Sequence, residues 1–137
     1  MITQKYLDDL TYQLIGAAIE VHKELGPGLL ESVYDKCFKS EIAHKGLQYQ
    51  SQLYVPVVYK NLQLDTELRL DFLVEELIVV ELKATEFIHP LYEAQLLTYM
   101  KLLQKPKGLL INFNCTNIFK EGQRTRVNEL YSSLPKT

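Results

Sequence analysis

The sequence is short of most features that would put it in a special class. Cysteine occurs only 2 times in 137 residues, as Cys37 and Cys115, with neither metal-ligand spacing nor the density of a secreted disulfide scaffold, so both are expected to be reduced and structural. No apolar run approaches the roughly 18–20 residues that cross a bilayer. The first residues lack a basic segment leading into a greasy one. No membrane association is therefore expected, and a cytoplasmic location is. Low-complexity tracts and internal repeats are absent as well. Nor is there an excess of positive charge: 15 Lys and Arg against 17 Asp and Glu leave a formal charge of -2. Affinity for phosphate backbones usually comes from a basic surface, so tight, non-specific binding of long duplexes by a single copy is disfavoured.

What is present has the composition of an ordinary globular protein, 47% hydrophobic and 23% charged, and the length suits one domain over residues 1–137. Thr3 can cap a first helix in which Leu7, Leu10, Leu14, Ala17, Val21 and Leu25 recur every three or four residues. Gly26-Pro27-Gly28 stops it. A second helix begins near Leu29 or Leu30 and runs to Gly46, with Glu31 in its first turn, where an acid complements the helix dipole, and Tyr34 on the same face. His22 lies one residue off the first helix's stripe and reads as a border residue rather than a ligand. Leu47 to Tyr59 alternates like a strand, with Pro56 marking an edge or a bulge, and Lys60-Asn61 is a turn. Pro90 is well placed to begin a later helix, on which Gln95 and Tyr99, four apart, face the same way. Leu109 to Phe113 is apolar on both faces, as in a central strand reached by a parallel crossover. The tail, with Lys120, Arg124 and Arg126, reads as a solvated face or final hairpin, a phosphate-tracking arm being the sharper alternative.

The stretch from Leu68 to Ala84 organises the rest. Leu68, Leu70, Phe72 and Val74 alternate with Arg69, Asp71 and Leu73; Ile78, Val80 and Leu82 alternate with Val79, Glu81 and Lys83. This predicts two half-buried strands joined by a tight hairpin at Glu75-Glu76. Because a slip of one residue turns every side chain over, packing demands Val74 opposite Ile78 and Phe72 opposite Val80. That register sets Asp71 across from Glu81, at the β-carbon spacing of about 4.5–5.5 Å typical of directly opposed residues. Two carboxylates so placed can grip one divalent cation. Lys83 points the same way, and Arg69 falls opposite it, a like-charge pair that favours an anion between them.

Asp71 followed by Glu81-x-Lys83 resembles the core motif of the PD-(D/E)XK nuclease superfamily, with Leu70 where the motif's name has proline. Gly28-Leu-Leu-Glu31-Ser-Val-Tyr34 is similar to the signature of its GxxExxY family, and Gln95-Leu-Leu-Thr-Tyr99 to the Q-xxx-Y helix motif of RecB-type nucleases. The likeness runs from about Leu14 to Asn114. It implies an α/β fold with a restriction-endonuclease-like core, a central mixed sheet flanked by helices. It also implies a metal-dependent nuclease that hydrolyses nucleic-acid phosphodiester bonds. In that reading Asp71, Glu81, Glu31 and the backbone carbonyl of Leu82 hold Mg²⁺ or Mn²⁺. Lys83 positions or activates the water, while Gln95 and Tyr99 orient and support the site. Tyr34, Arg69, Gln95 and Tyr99 face the substrate, which is nucleic acid with DNA ahead of RNA. The small size suits a homodimer or a protein partner. Two other readings compete: a nuclease-like fold kept as a slow or inactive binding or assembly module, and a structural ion-pair network of Asp71, Glu81, Arg69 and Lys83.

Overall fold

In the computed structural model, which describes residues 1–137, Thr3 opens the first helix by accepting the Tyr6 N–H on its hydroxyl, satisfying one of the donors that every helix start leaves free. Helix α1 (Gln4–Leu25) buries Leu7, Leu10, Leu14, Ala17 and Val21, while Leu25 at its end stays exposed. The chain turns at Gly26, whose φ of 67° favours glycine. Helix α2 (Glu31–His44) follows, with Tyr34, Phe38 and Ile42 buried one turn apart. Strand β1 (Tyr49–Tyr54) is cut short before Pro56, and β2 (Val57–Tyr59) and β3 (Leu62–Leu64) form a separate hairpin turning at Lys60 and Asn61.

Strands β4 (Arg69–Val74) and β5 (Ile78–Lys83) pair antiparallel with Val74 opposite Ile78 and Phe72 opposite Val80, the register that packing demanded. Helix α3 (Pro90–Leu103) then crosses over, and β6 (Lys107–Asn112) returns parallel to β5. A π-helical turn (Ile118–Gly122), β7 (Gln123–Val127) and the short α4 (Glu129–Ser132) complete the chain. The five-stranded sheet has the order β1-β4-β5-β6-β7 and is parallel only at β5–β6. It is a mixed sheet with helices on both faces, an α/β architecture. On one face α1 and α2 pack against Phe72, Val74, Val80, Leu82 and Ile111. On the other, Leu96, Tyr99 and Met100 of α3 pack against Leu70, Leu73, Val79 and Leu110. Gly108 permits that second contact: a β-carbon there would stand 2.6 Å from the Met100 sulfur.

The sequence pattern misjudged this region in three respects. Strands β4 and β5 are not half-buried, because α3 covers the face that alternation left to charge, and only Arg69 is fully exposed. Leu68 lies outside the strand and is 39% exposed. Leu70 is buried but on the opposite face from Phe72, alongside Leu73, so the alternation breaks at Asp71. The cause lies in the neighbouring strand. Gln52 of β1 has φ 52°, and the β1–β4 ladder runs Ser51↔Phe72 and Leu53↔Leu70 without a Gln52↔Asp71 pair between them. In the tail, β7 is an edge strand on β6 rather than a free arm. Arg126 is engaged by Glu93 of α3, and Arg124 donates to the carbonyls of Glu121 and Gln123.

Candidate active site

Where β4 and β5 would exchange ladder bonds next, their side chains take over. The Asp71 N–H donates to Glu81 Oε2 at 2.8 Å, and the Leu82 N–H donates to Asp71 Oδ2 at 2.7 Å. Each carboxylate thus caps the backbone of the opposite strand. The sheet opens at this point into a polar mouth rather than closing over it. Glu81 is 6% exposed. Burial, and then the negative charge of Asp71, push its carboxyl from 4.5 up to about 9. No cation stands within ion-pair distance of either acid: the molecule's salt bridges join Lys5 to Asp9, Lys23 to Glu20, Lys39 to Asp35, Lys107 to Asp8 and Arg126 to Glu93. A structural network of Asp71, Glu81, Arg69 and Lys83 is therefore not what the charges form.

Helix α2 brings Glu31 towards this mouth. Tyr34 lies one turn further along the helix. Its ring is fully buried and stacks on Phe113 at 4.4 Å, its hydroxyl donates to the Gly26 carbonyl at 2.6 Å, and it accepts the Leu29 N–H at 3.2 Å. Those bonds fix the Gly-Pro-Gly loop against the start of α2. Tyr34, which the resemblance set facing the substrate, is wholly buried. Glu31's carboxyl is raised by partial desolvation, then by the charge of Asp71, with Lys83 pulling the other way. It feels the site but does not close it, since no three His, Cys, Asp or Glu side chains gather tightly enough for a metal cluster. The three-acid cradle read from the sequence is an intimate pair, Asp71 and Glu81, with Glu31 beside it.

The opposite wall comes from α3. Lys83 holds its ammonium 4.5 Å above the Tyr92 ring, a contact that places the charge without neutralising it. Tyr92, Gln95 and Tyr99 follow at helical spacing on this side. Tyr99 is 4% exposed, and burial followed by the charges of Glu81 and Asp71 raises its phenol. Gln95 is half-buried and makes no side-chain hydrogen bond within the protein. Arg69 does not confront Lys83: its guanidinium sits 5.4 Å over Tyr54 on the side of β1, so the two cations are held apart on separate rings.

Two supporting residues escaped the sequence reading. Asn112, paired with Lys83 across the parallel ladder and 3% exposed, accepts the Thr85 N–H and donates to the Thr85 carbonyl, both at 3.0 Å. It thereby anchors the chain just beyond Lys83, and the only hint was a polar residue ending an apolar strand. Gln52, at the β1 kink, sends its amide to Asp71 Oδ1 at 3.5 Å. Nothing in its sequence context announces it. His22, left out of the site, does lie elsewhere, with Nε2 2.9 Å from the Cys115 carbonyl oxygen.

Two cross-linked carboxylates and a lysine at the open end of a mixed sheet flanked by helices define the restriction-endonuclease-like α/β class. A family model described as the PD-(D/E)XK nuclease superfamily matches residues 8–125, and the chain belongs to that superfamily. Its nucleases act on nucleic acids and generally use divalent metals. Comparison with the curated proteins and with the solved structures gives no match. No helix is long and apolar enough to cross a membrane.

Proposed function

We propose that this protein is a metal-dependent nuclease that hydrolyses phosphodiester bonds, with DNA ahead of RNA as substrate and the cytoplasm as its place of action. The observation that carries the reading is the Asp71–Glu81 pair: two acids side by side, one nearly buried, with no cation of the protein in contact. A desolvated acid beside a like charge must hold a proton or an outside cation, and a divalent ion with oxygen ligands supplies the second. The donor set suits Mg²⁺ or Mn²⁺, which accept few carboxylates and keep several waters. Asp71 and Glu81 would hold the ion with the Leu82 carbonyl, and Glu31 would reach towards it from the α2 side. When bound, the ion would polarise the phosphodiester and lower the pKa of an attacking water.

The chain's own groups do the rest. Lys83, presented by Tyr92 rather than spent on an acid, would position the water and offset negative charge developing on the phosphate oxygens. Gln95, with its amide uncommitted, would orient Lys83 or a phosphate, and Tyr99 would support Glu81 from below. Arg69, stacked on Tyr54, is available to the substrate backbone. The GxxExxY assignment fits this scheme through Gly28, Glu31 and Tyr34, with Tyr34 setting the helix start that presents Glu31. A homodimer or a protein partner would enlarge a contact surface that is small in a single copy.

Titration with Mg²⁺ and Mn²⁺ by calorimetry, alongside labelled single-stranded and duplex substrates, tests the proposal. Metal binding should disappear in Asp71→Ala. Cleavage should disappear in Lys83→Ala while metal binding survives. Metal binding without cleavage of any substrate would instead make the protein a nuclease-like binding module.

A further inference from the structure

Beside the carboxylate pair, on the side away from α3, the surface between α2 and the kinked part of β1 forms a cleft of about 350 Å³. Its lining contains no hydrophobic residue. Asp71 stands at one end, Gln52 at its side, and Ser32, Lys36 and Lys39 rise from α2. Glu31 and Asp35 also reach it. Asp35 is occupied by Lys39 at 3.2 Å, whereas Lys36 is exposed and joined to no acid. Gln52 marks a break in the strand that borders the cleft: every other non-glycine residue with positive φ sits in a turn or at a helix end, but this one lies inside a strand.

Resting on the nuclease reading above, we propose that this cleft is a second phosphate subsite. It would receive the phosphodiester that neighbours the scissile one, with Lys36 and the Ser32 hydroxyl as its donors. A cleft without apolar lining offers nothing for a base to stack on, and bases bind single-strand platforms through aromatic faces. It offers a mobile ammonium and a hydroxyl, the donors that backbone phosphates take. The position fits too, since a strand whose scissile phosphate lies at Asp71 and Lys83 must continue past one side. The α3 side is walled by Tyr92, Gln95 and Tyr99, while the α2 side is open.

The test compares Lys36→Ala with Lys45→Ala, a charge-matched change just past the far end of the same helix, in the full-length protein. Binding of a fluorescein-labelled single-stranded oligonucleotide, and of its duplex, is followed by anisotropy over a range of salt concentrations without added metal, and cleavage is followed separately with Mg²⁺. Losing one phosphate contact should flatten the slope of log K against log salt by about 0.7 for the single strand and about 0.9 for the duplex. Lys36→Ala should show that change and a several-fold weaker affinity, with KM raised and kcat preserved, and Lys36→Arg should restore both. Lys45→Ala should show neither. Equal effects of the two alanine variants, or none, in a protein that still cleaves would overturn the subsite and leave the nuclease reading intact. Lys36-dependent binding in a protein that cleaves nothing would support the subsite and overturn the hydrolase. A wild-type chain that neither binds nor cleaves would sink both.

Discussion

Glu81 carries a carboxyl that accepts a backbone N–H from the opposite strand, is almost wholly removed from water, and stands against the charge of Asp71. The last two conditions raise its proton affinity, and the single hydrogen bond it accepts does not offset them. In the metal-free protein the folded state holds a proton on Glu81 between pH 4.5 and about 9, whereas the unfolded chain releases it at the lower value. The folded form then binds more protons than the unfolded form, so stability is greatest below 4.5 and falls as pH rises through about 9. This fall amounts to a few kcal/mol. Glu81→Gln should remove most of that slope and leave the metal-free protein more stable than wild type at alkaline pH, as read by thermal melts across the range. A variant that melts lower than wild type throughout would show that ionised Glu81 holds the strands together rather than straining them. That Asp71 and Glu81 lie together was legible in the sequence, because a short hairpin in the Val74–Ile78 register brings them near one another. Their mutual capping was not, since it depends on the ladder ending where it does.

At the scale of elements, one residue accounts for the face on which alternation misplaced Leu70. Reading faces from parity assumes an unbroken pleat, and Gln52 breaks it. Glutamine has no special tolerance for a left-handed backbone, so its sequence neighbours carry no signal of the kink. The turns were legible because their residues have local reasons to be there. Glu75-Glu76 bridges two apolar runs, Pro90 opens α3, and Gly26 ends α1. A non-glycine residue held at positive φ typically costs about 1–3 kcal/mol and persists only where its surroundings enforce it. Gln52→Gly removes that cost and also the amide that reaches Asp71. Its melting temperature should match or exceed the wild type, while cleavage falls. Gln52→Val, which adds a branched β-carbon to the same backbone, should melt several degrees lower. If the glycine variant is the less stable of the two, the backbone at position 52 holds no strain for glycine to relieve.

At the scale of the whole molecule, the site lies where two cores meet. Asp71 and Glu81 belong to adjacent strands, with α1 and α2 packed on one face of the sheet and α3 on the other. Glu31 comes from the first of those layers, and Tyr92, Gln95 and Tyr99 from the second. An ion held by both strands would therefore tie the two layers into one unfolding unit instead of stabilising a loop. A ligand bound only by the folded state adds about 2.7 kcal/mol at a hundred times its dissociation constant, which should appear as a shift of several degrees in one cooperative transition. Because the ion must displace the proton on Glu81, the shift should grow as pH rises towards about 9. Differential scanning calorimetry with and without Mg²⁺ or Mn²⁺ reads both the size of the shift and its pH dependence. Asp71→Ala should abolish it, and Lys83→Ala, which leaves both acids in place, should keep it. A wild-type melt that neither ion moves at any pH would mean the paired carboxylates hold a proton and not a metal, and catalysis by this site would need another source of positive charge.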